Sequence, residues 1–276
     1  MLSFPNCKIN IGLYITNRRT DGYHDLETIF YPITSLHDAL EIIPAEQAAL
    51  HISGKAVQGD KEDNIVWKAY KLLQRDFPDK IGELEIHLLK AIPMGAGLGG
   101  GSADGAFMLK LLNDYFELGI STEQVIDYAL RLGSDCPFFI HNSPQFANGR
   151  GELMQPSDID LSNYSIVLVC PDVHISTAKA FQMITPRKAP FDLKTLTDVP
   201  VAEWKKIITN DFEQPVFEQH PVLAEIKQQL YNQGALYAAM SGSGSTLYGI
   251  FPKRQKMELK IVAEVDVFIH DATAGL

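Results

Sequence analysis

The sequence predicts an α+β protein with two domains, and two stretches of the chain together with its length carry that prediction. Residues 83–116 alternate like a strand, pass through a run of glycines and continue with helically spaced apolar residues. Residues 222–270 follow the order helix, strand, strand, helix, strand, which is similar to part of a split βαβ domain. A chain of 276 residues suits one large domain or two packed domains. We expect two, at 1–155 and 156–276.

The first predicted strand covers residues 7–15, where apolar and polar residues alternate. One face is apolar and the other carries Lys8 and Asn10, which indicates either a cleft or an exposed edge of a sheet. A polar turn over 17–24 follows. The next expected elements are strands over 26–33 and 39–43, a loop with a short strand over 44–63, and a helix from an Asp63–Asn64 cap to Phe77.

The remaining elements are predicted from caps, turns and apolar runs. Ser121 to Gln124 has the pattern of a capping box, which begins a helix running to Leu132. Residues 133–140 indicate a turn into a strand. The last expected elements are a tight turn over 146–152, a buried strand over 164–170, helices over 177–184 and 222–233, strands over 235–240 and 246–251, a basic helix over 253–263 and a strand over 266–270.

The glycine-rich segment 93–106 is the most informative part of the sequence for function. Five glycines fall within seven residues, at positions 95, 97, 99, 100 and 101. Glycine lets the backbone approach a ligand closely, and a following helix N-terminus, with Ser102 as its candidate cap, favours an anion. We therefore expect a nucleotide phosphate site. The alternative is a glycine-rich turn that binds nothing.

Three common nucleotide motifs do not fit this loop. Residues 95–100 formally match G-x-G-x-x-G, but no strand ending in an acidic residue follows about 20 positions later. A Walker A loop requires a lysine after the glycines, and none is present. The His-Arg-Asp and Asp-Phe-Gly sequences of protein kinases do not occur. The loop therefore belongs to another class of phosphate site.

Composition limits the classes of partner and location. The net charge is −10 and no basic stretch could replace phosphate counterions, so extended nucleic-acid binding is not expected. Three widely spaced cysteines, Cys7, Cys136 and Cys170, indicate free thiols in a reducing compartment, and no cysteine–histidine spacing suggests zinc. Because no leader and no 18-residue apolar run are visible, we expect a cytoplasmic protein, with no membrane or protein partner implied.

Three segments, in order along the chain, resemble motifs of the GHMP kinase superfamily. They are Lys8-Ile-Asn10-Ile-Gly-Leu with Asp21-Gly-Tyr23-His24, the loop from Pro93 to Ala103, and Ser241-Gly-Ser-Gly-Ser245. The resemblance runs from about residue 5 to about residue 251. It implies the two-domain GHMP kinase fold, with an N-terminal ribosomal-protein-S5-like domain, a C-terminal ferredoxin-like (split βαβ) domain and an active site in the cleft between them.

The resemblance also implies an ATP-dependent small-molecule kinase. The triple glycine before Ser102 and the Asp-Gly-Tyr-His turn favour a branch that phosphorylates the 2-hydroxyl of a cytidine diphosphate polyol, in non-mevalonate isoprenoid precursor biosynthesis. Two alternatives remain open. One is a mevalonate- or homoserine-type GHMP kinase, whose acceptor carries no cytidine. The other is a ligand-binding protein that has the fold and lacks catalysis.

Catalytic roles come from the same resemblance. It implies that Asp135, in Gly-Ser-Asp-Cys-Pro, is the general base and that Lys8 is its electrostatic partner. A carboxylate near a cation stays ionised and can take a hydroxyl proton. The alternative for Asp135 is a turn or helix-terminus residue. ATP chemistry implies Mg²⁺, with Ser102 as the candidate ligand. Asp104 could favour the helix dipole or approach the metal.

Binding residues are implied for both substrates, ATP and the cytidine diphosphate polyol. Tyr23 and Phe181 would sandwich the cytosine, a geometry suited to recognising a base, and His24 would read its polar edge. Asn10 and Thr177 would hold the diphosphate-polyol portion. For Phe181 the alternative is core packing on its helix. The residues expected around ATP are Asn64, Ile65 and Lys90 at the adenine and Pro93, Met94, Gly95, Ala96, Gly97, Leu98, Gly99, Gly100, Gly101, Ser102 and Ala103 at the phosphates.

Overall fold

A computed structural model of the chain describes residues 1–55, 59–253 and 265–271. The strands are β1 (Leu2–Ser3), β2 (Asn6–Arg18), β3 (His24–His37), β4 (Ala39–Pro44), β5 (Ala49–Gly54), β6 (Leu84–Lys90), β7 (Gln145–Asn148), β8 (Leu153–Pro156), β9 (Tyr164–Pro171), β10 (Tyr237–Met240), β11 (Leu247–Pro252) and β12 (Val265–Asp271). The α-helices are α1 (Ile65–Asp76), α2 (Gly100–Tyr115), α3 (Thr122–Leu132), α4 (Cys136–His141), α5 (Thr177–Gln182), α6 (Trp204–Ile207), α7 (Glu213–Gln219) and α8 (Pro221–Asn232). Short 3₁₀ helices cover Lys61–Asp63, Leu193–Asp198 and Val201–Glu203.

The chain forms two compact units built from interleaved segments. The first unit comprises Met1–Cys7, Leu36–Met94 and Gly99–Ser143. The second unit comprises Lys8–Ser35, Gly95–Leu98 and Pro144–Leu276. The glycine-rich loop is divided between the two, with residues 95–98 in one and 99–103 in the other. The domain division at 155/156 stays a prediction.

In the first unit, a four-stranded sheet of order β1-β4-β6-β5 is accompanied by α1 to α4. Strand β6 pairs antiparallel with β4 and parallel with β5. Its residues alternate, with Leu84, Ile86, Leu88 and Lys90 buried and the residues between them more exposed. The two predicted helix starts are confirmed, because Asn64 accepts from the backbone N–H of Val66 and a complete capping box begins α3.

The second unit contains two further sheets. One has the order β2-β3-β7-β8, and the other has the order β10-β11-β9-β12 with antiparallel pairing throughout. Strand β9 lies between β11 and β12, and its residues 165–170 are all buried, with 166–170 apolar as the sequence predicted. Helix α8 packs on β10 and β11 through Leu223, Ile226 and Leu230. Strand β12 confirms the last strand predicted from the sequence.

Two expectations about local structure are wrong. The apolar run expected as a strand within 133–140 forms α4, in which Phe138, Phe139 and Ile140 are buried in a helix packed against α2 and α3. A short run buried on all sides has the same apolar pattern in a strand and in a helix, so periodicity could not distinguish them. Helix α2 begins at Gly100, and its cap is Gly99 with φ of 71°, so Ser102 lies in the first turn rather than at the cap.

The remaining comparison with the sequence concerns the helices expected or found after residue 193. The basic helix expected over 253–263 lies outside the described residues, apart from Lys253. The short helices α6 and α7 were not anticipated, because the segment 193–220 carries no strong periodic pattern. Within the described part of the chain, no helix is both long enough and apolar enough to cross a membrane.

Candidate active site

The polar face of strand β2, which the sequence indicated to be either a cleft or an exposed edge, is buried. Lys8 and Asn10 are each only 3% exposed, so the interpretation as an exposed edge is wrong. The Lys8 ammonium donates to Asn10 Oδ1 at 2.7 Å and to the carbonyl oxygen of Gly97 at 3.0 Å. It also lies 5.1 Å from the centre of the Phe30 ring. A buried ammonium held in this way is oriented before any ligand arrives.

Asn10 is fixed by bonds from several parts of the second unit. Its side-chain amide donates to Thr28 Oγ1 at 3.1 Å, and its backbone N–H donates to Ser241 Oγ at 3.3 Å. The Tyr248 hydroxyl donates to its carbonyl oxygen at 2.8 Å. Ser241 begins the third segment that resembles a GHMP kinase motif. Thr28 and Tyr248 belong to none of the three segments, and no local pattern marks them, because they reach Asn10 only through tertiary pairing.

Residues 95–98 of the loop pack directly on the turn Ser241–Ser245. The Ser241 hydroxyl donates to the carbonyl oxygen of Gly97 at 2.8 Å, and the N–H of Thr246 donates to that of Ala96 at 3.1 Å. Gly97 has a φ of 78°, and a Cβ there would lie 2.0 Å from the carbonyl oxygen of Ser241. Only glycine fits this position. The second unit therefore brings together residues from all three segments that resemble GHMP kinase motifs.

The first unit holds the rest of the loop and a pocket of about 290 Å³. The three residues expected at adenine line this pocket together with Met94, Gly101 and Ser102 of the loop. The lining residues are Asp63, Asn64, Ile65, Leu88, Lys90, Met94, Gly101, Ser102 and Asp104. The fold thus brings Asn64 and Ile65 together with Lys90, which lies up to 26 positions later in the sequence. All three line one cavity beside the start of α2.

Gly100 and Gly101 have different surroundings. A Cβ on Gly100 would lie 2.8 Å from Cγ2 of Ile92, whereas a Cβ on Gly101 would meet nothing within 4 Å. Gly100 is therefore needed for close packing of α2 on Ile92. Gly101 is the glycine that borders the pocket.

Lys90 lies between two buried carboxylates, Asp38 and Asp104, and pairs with both. Asp38 also accepts the backbone N–H groups of Ala91 at 2.6 Å and Ile92 at 2.9 Å. Asp104 has fewer partners, since its second oxygen, Oδ1, is buried without a hydrogen bond. Burial raises the pKa of Asp104 to about 8, partly offset by Lys90 and reinforced by Asp38. The carboxyl of Asp104 therefore hydrogen-bonds Lys90. The sequence had suggested that Asp104 favours the helix dipole or approaches the metal, and neither role included this contact.

Asp135 stands at the cap position of α4, in the first unit. It is half-buried and its side chain makes no capping hydrogen bond to the helix. The alternative of a helix-terminus residue is thus correct for its position, while its carboxylate is not used as a cap. Lys8 belongs to the second unit, and the pairing of the two stays a prediction.

Ser102 lines the pocket and contacts the thiol of Cys136, the residue after Asp135. This contact lowers the pKa of the thiol, but burial has the larger effect and raises it to about 12. Cys136 is therefore a neutral hydrogen-bonding partner and not a nucleophile at neutral pH. The Ser102 hydroxyl remains the candidate metal-facing group of the loop.

The residues expected at cytosine gather in the second unit. The rings of His24 and Phe181 stack with centroids 5.0 Å apart and an angle of 22°. Phe181 also meets Phe212 edge-on at 4.9 Å, so its other side does contribute to packing. Tyr23 is 57% exposed, with the Arg150 guanidinium 5.0 Å from its ring centre. The face of Phe181 that was expected to stack on cytosine is in contact with His24. The sandwich of cytosine between Tyr23 and Phe181 stays a prediction.

Thr177 begins α5 and lies beside the turn that supports Gly97. Its hydroxyl is 3.0 Å from that of Ser243 in the turn Ser241–Ser245. This contact connects a residue expected at the acceptor to the same turn that Asn10 contacts through Ser241. Asn10 and Thr177 are thus linked through one short segment of the second unit.

Comparisons with known proteins decide the family. The family models described as "GHMP kinases N terminal domain" and "GHMP kinases C terminal" match residues 64–143 and 200–263. A protein of Bacteroides thetaiotaomicron, named 4-diphosphocytidyl-2-C-methyl-D-erythritol kinase, is 53% identical over 91% of this chain and 92% of its own. The chain belongs to this kinase family. A protein of the same name from Chlorobium limicola is 39% identical over 90% of this chain and 87% of its own.

Solved structures agree with this family. The crystal structure of a 4-(cytidine 5'-diphospho)-2C-methyl-D-erythritol kinase matches with a TM-score of 0.77 at 30% identity, covering 91% of this chain and 90% of that one. The Methanococcus jannaschii mevalonate kinase matches with a TM-score of 0.71 at 12% identity, covering 98% of each chain. At that identity the second match shows the fold alone. The α+β GHMP kinase fold predicted from the sequence is confirmed.

Proposed function

We propose that this protein transfers the γ-phosphoryl group of ATP to the 2-hydroxyl of 4-diphosphocytidyl-2-C-methyl-D-erythritol, giving the 2-phosphate and ADP, in non-mevalonate isoprenoid precursor biosynthesis. The observation that carries the proposal is the 53% identity to a kinase of that name over 91% of the chain. The gathering of all three GHMP-like segments around Gly97 supports it. No observation favours a mevalonate or homoserine acceptor.

Asp135 is proposed as the general base. It would accept the proton of the 2-hydroxyl as that oxygen attacks the γ-phosphorus. The support for this role is its position in Gly-Ser-Asp-Cys-Pro, at the start of α4 in the first unit. Lys8 would keep the carboxylate ionised through its positive charge. Hydrogen bonds to Asn10 and Gly97 hold its ammonium in position.

The pocket of the first unit is proposed as the adenine end of the ATP site. Asn64 and Ile65 begin α1 and border the cavity, and Leu88 and Met94 supply apolar surface. Residues 93–103 would bind the phosphates, with the N-terminus of α2 favouring their negative charge. Lys90 is already paired with two carboxylates, so its role is to hold the pocket wall rather than to bind phosphate.

Mg²⁺ is proposed to accompany ATP. The donors of this chain fit an ion held chiefly by phosphate oxygens and water, because Asp104 is engaged by Lys90 and Ser102 offers one hydroxyl to the pocket. When bound, the ion neutralises charge on the phosphates. The residues of the loop would orient those phosphates.

The proposal is tested by assaying the purified protein with ATP and Mg²⁺ against three acceptors: 4-diphosphocytidyl-2-C-methyl-D-erythritol, mevalonate and homoserine. ADP release and the mass gain of one phosphate on the acceptor are measured together. We expect turnover with the cytidine diphosphate compound and poor turnover with the other two. Efficient phosphorylation of mevalonate, with none of the cytidine compound, would refute the proposal.

A further inference from the structure

A group of three side chains on the outer face of the first unit's sheet has ligand atoms that converge. His51 of β5 pairs directly with His87 of β6, and Glu85 lies two residues before His87 on the same face. The imidazole Nε2 of His51 is 3.1 Å from Glu85 Oε1, and that of His87 is 3.3 Å from the same oxygen. The two rings stack with centroids 4.9 Å apart.

These distances match a metal site of known geometry. In a tetrahedral zinc site with ligands at about 2.0–2.1 Å, neighbouring ligand atoms lie about 3.3 Å apart. Two of the three separations already have nearly that value. All the ligand atoms of the group lie within 4.8 Å of one another, so small rotations of the imidazoles would complete the set. Two histidines and one carboxylate leave a fourth position for water.

The scaffold holds the ligands in place. Backbone pairing of β5 with β6 fixes the separation of His51 and His87. The opposite face of β6 is anchored in the core by Ile86 and Leu88. Glu41 of β4 pairs directly with His87 from the other side, and it adds a further negative charge beside the group. Because these ligands lie on paired strands, little conformational entropy of the protein would be lost when a cation binds.

We propose that His51, Glu85 and His87 bind one divalent transition-metal ion, with Zn²⁺ as the best fit. Imidazole and carboxylate ligands suit such an ion better than Mg²⁺ or Ca²⁺, which prefer oxygen ligands alone. The ion would join β5, an edge strand of the sheet, to β6 through side chains as well as backbone. The site is separate from the nucleotide pocket, because Leu88 and Lys90, which line the pocket, point to the opposite face of β6 from His87.

The test is a calorimetric titration of the tag-free, chelator-treated protein with ZnCl₂, and with MgCl₂ for comparison. We expect one Zn²⁺ per chain and no heat from Mg²⁺ at this site. Loss of a partner that only orients a ligand already weakens metal sites by about 10–100-fold. We therefore expect His51→Ala and His87→Ala each to raise the Zn²⁺ Kd by about tenfold or more, and Glu85→Gln to raise it as well.

The matched control is His37→Ala, which removes an exposed histidine of the same unit that is not one of the three converging ligands. It should retain the Zn²⁺ Kd of the wild type. A second readout is the melting temperature, which Zn²⁺ should raise in wild type and His37→Ala but not in His51→Ala. Failure of wild type to bind Zn²⁺, or unchanged binding in both histidine variants, would overturn the proposal. Neither result depends on kinase activity.

Discussion

At the scale of single residues, Asp135 provides the sharpest test of the proposed chemistry. Asp135→Asn keeps the size of the side chain and removes its ability to accept a proton. We expect kcat to fall by about 10²–10⁴-fold, the usual range for loss of a general base, with little change in the Kd of either substrate. Steady-state kinetics and calorimetric binding together measure the two effects.

The matched control for that variant is Asp127→Asn, which alters an exposed carboxylate on α3 in the same unit. It should leave kcat unchanged. If Asp135→Asn turns over within a few-fold of wild type, Asp135 is not the base.

The triad of Asp38, Lys90 and Asp104 predicts a pH dependence of stability. Two carboxylates and one ammonium leave a buried negative charge unless one carboxylate is protonated. Asp38 accepts two backbone N–H groups, whereas Oδ1 of Asp104 is buried without a hydrogen bond. Asp104 is the group that binds the proton, since its pKa is raised from 3.8 to about 8. A group whose pKa is raised on folding stabilises the protein at low pH and loses that contribution as pH rises to the folded value.

Wild type is therefore expected to lose stability relative to Asp104→Asn as pH rises from 5 to 8. Above the folded pKa the difference should become constant, because the carboxyl is then ionised in both the folded and unfolded states. Urea unfolding of the two proteins at a series of pH values measures it. A difference in unfolding free energy that is flat across this range would contradict the assignment of the proton to Asp104.

At the scale of elements, two adjacent glycines at the start of α2 have different roles. Gly100 allows close packing, and Gly101 borders the pocket. Gly100→Ala should destabilise the protein, since its Cβ would press on Ile92 at 2.8 Å, and overpacking of this kind costs about 1–3 kcal/mol. Gly101→Ala should leave stability unchanged or slightly raised, because alanine is the better helix former. Its methyl group would border the pocket, so we expect weaker ATP binding.

Thermal melts and calorimetry with a non-hydrolysable ATP analogue measure these two variants side by side. The expected pattern is a lower melting temperature for Gly100→Ala and a higher Kd for Gly101→Ala. The opposite assignment, with Gly101→Ala unfolding the protein and Gly100→Ala losing nucleotide, would show that the phosphates approach the loop from its other side.

Tyr23 and Phe181 are expected to bind the cytosine of the acceptor. Stacking on a base is worth about 1–3 kcal/mol per aromatic side chain, so Tyr23→Ala should raise the acceptor Kd by about 5- to 150-fold. Stability should be unaffected because Tyr23 is largely exposed. Phe181→Leu keeps apolar contact with Phe212 while removing the ring that faces His24, and it should weaken acceptor binding similarly.

In both aromatic variants the Kd for ATP serves as the internal control and should stay at the wild-type value. If both variants bind the acceptor as tightly as wild type, the cytosine does not lie between these rings. Phe181→Ala is a poorer test, since part of its effect would come from lost packing.

At the scale of the whole molecule, all three cysteines are buried and none forms a disulfide. Burial raises the pKa of the Cys136 thiol to about 12, and thiols react as thiolates. We expect the native protein to react slowly with a disulfide reagent at pH 8, and the urea-unfolded protein to expose three thiols per chain. Rapid labelling of one cysteine in the native state would reveal local opening of its unit.

Local signals in the sequence were sufficient for most elements and for the family. Cap residues located the starts of α1 and α3, and alternation of apolar and polar residues located β2 and β6. The same signals failed for α4, where an apolar run was buried on every side. They also placed the cap of α2 at Ser102, because serine is a common cap and a left-handed glycine leaves no mark in the sequence beyond its identity.

The sequence by itself determined the chemistry this chain can offer: a glycine-rich anion loop, a lysine and an aspartate in family motifs, and aromatic residues suited to a base. Only the tertiary structure decided how those residues are held. Lys90 is a buried hydrogen-bonding partner of Asp38 and Asp104. Gly100 serves packing, while Gly101 borders the pocket. His51 and His87 are 36 positions apart and meet only because β5 pairs with β6. Composition and periodicity report local preferences, whereas burial, charge pairing and close approach depend on which distant segments the fold brings into contact.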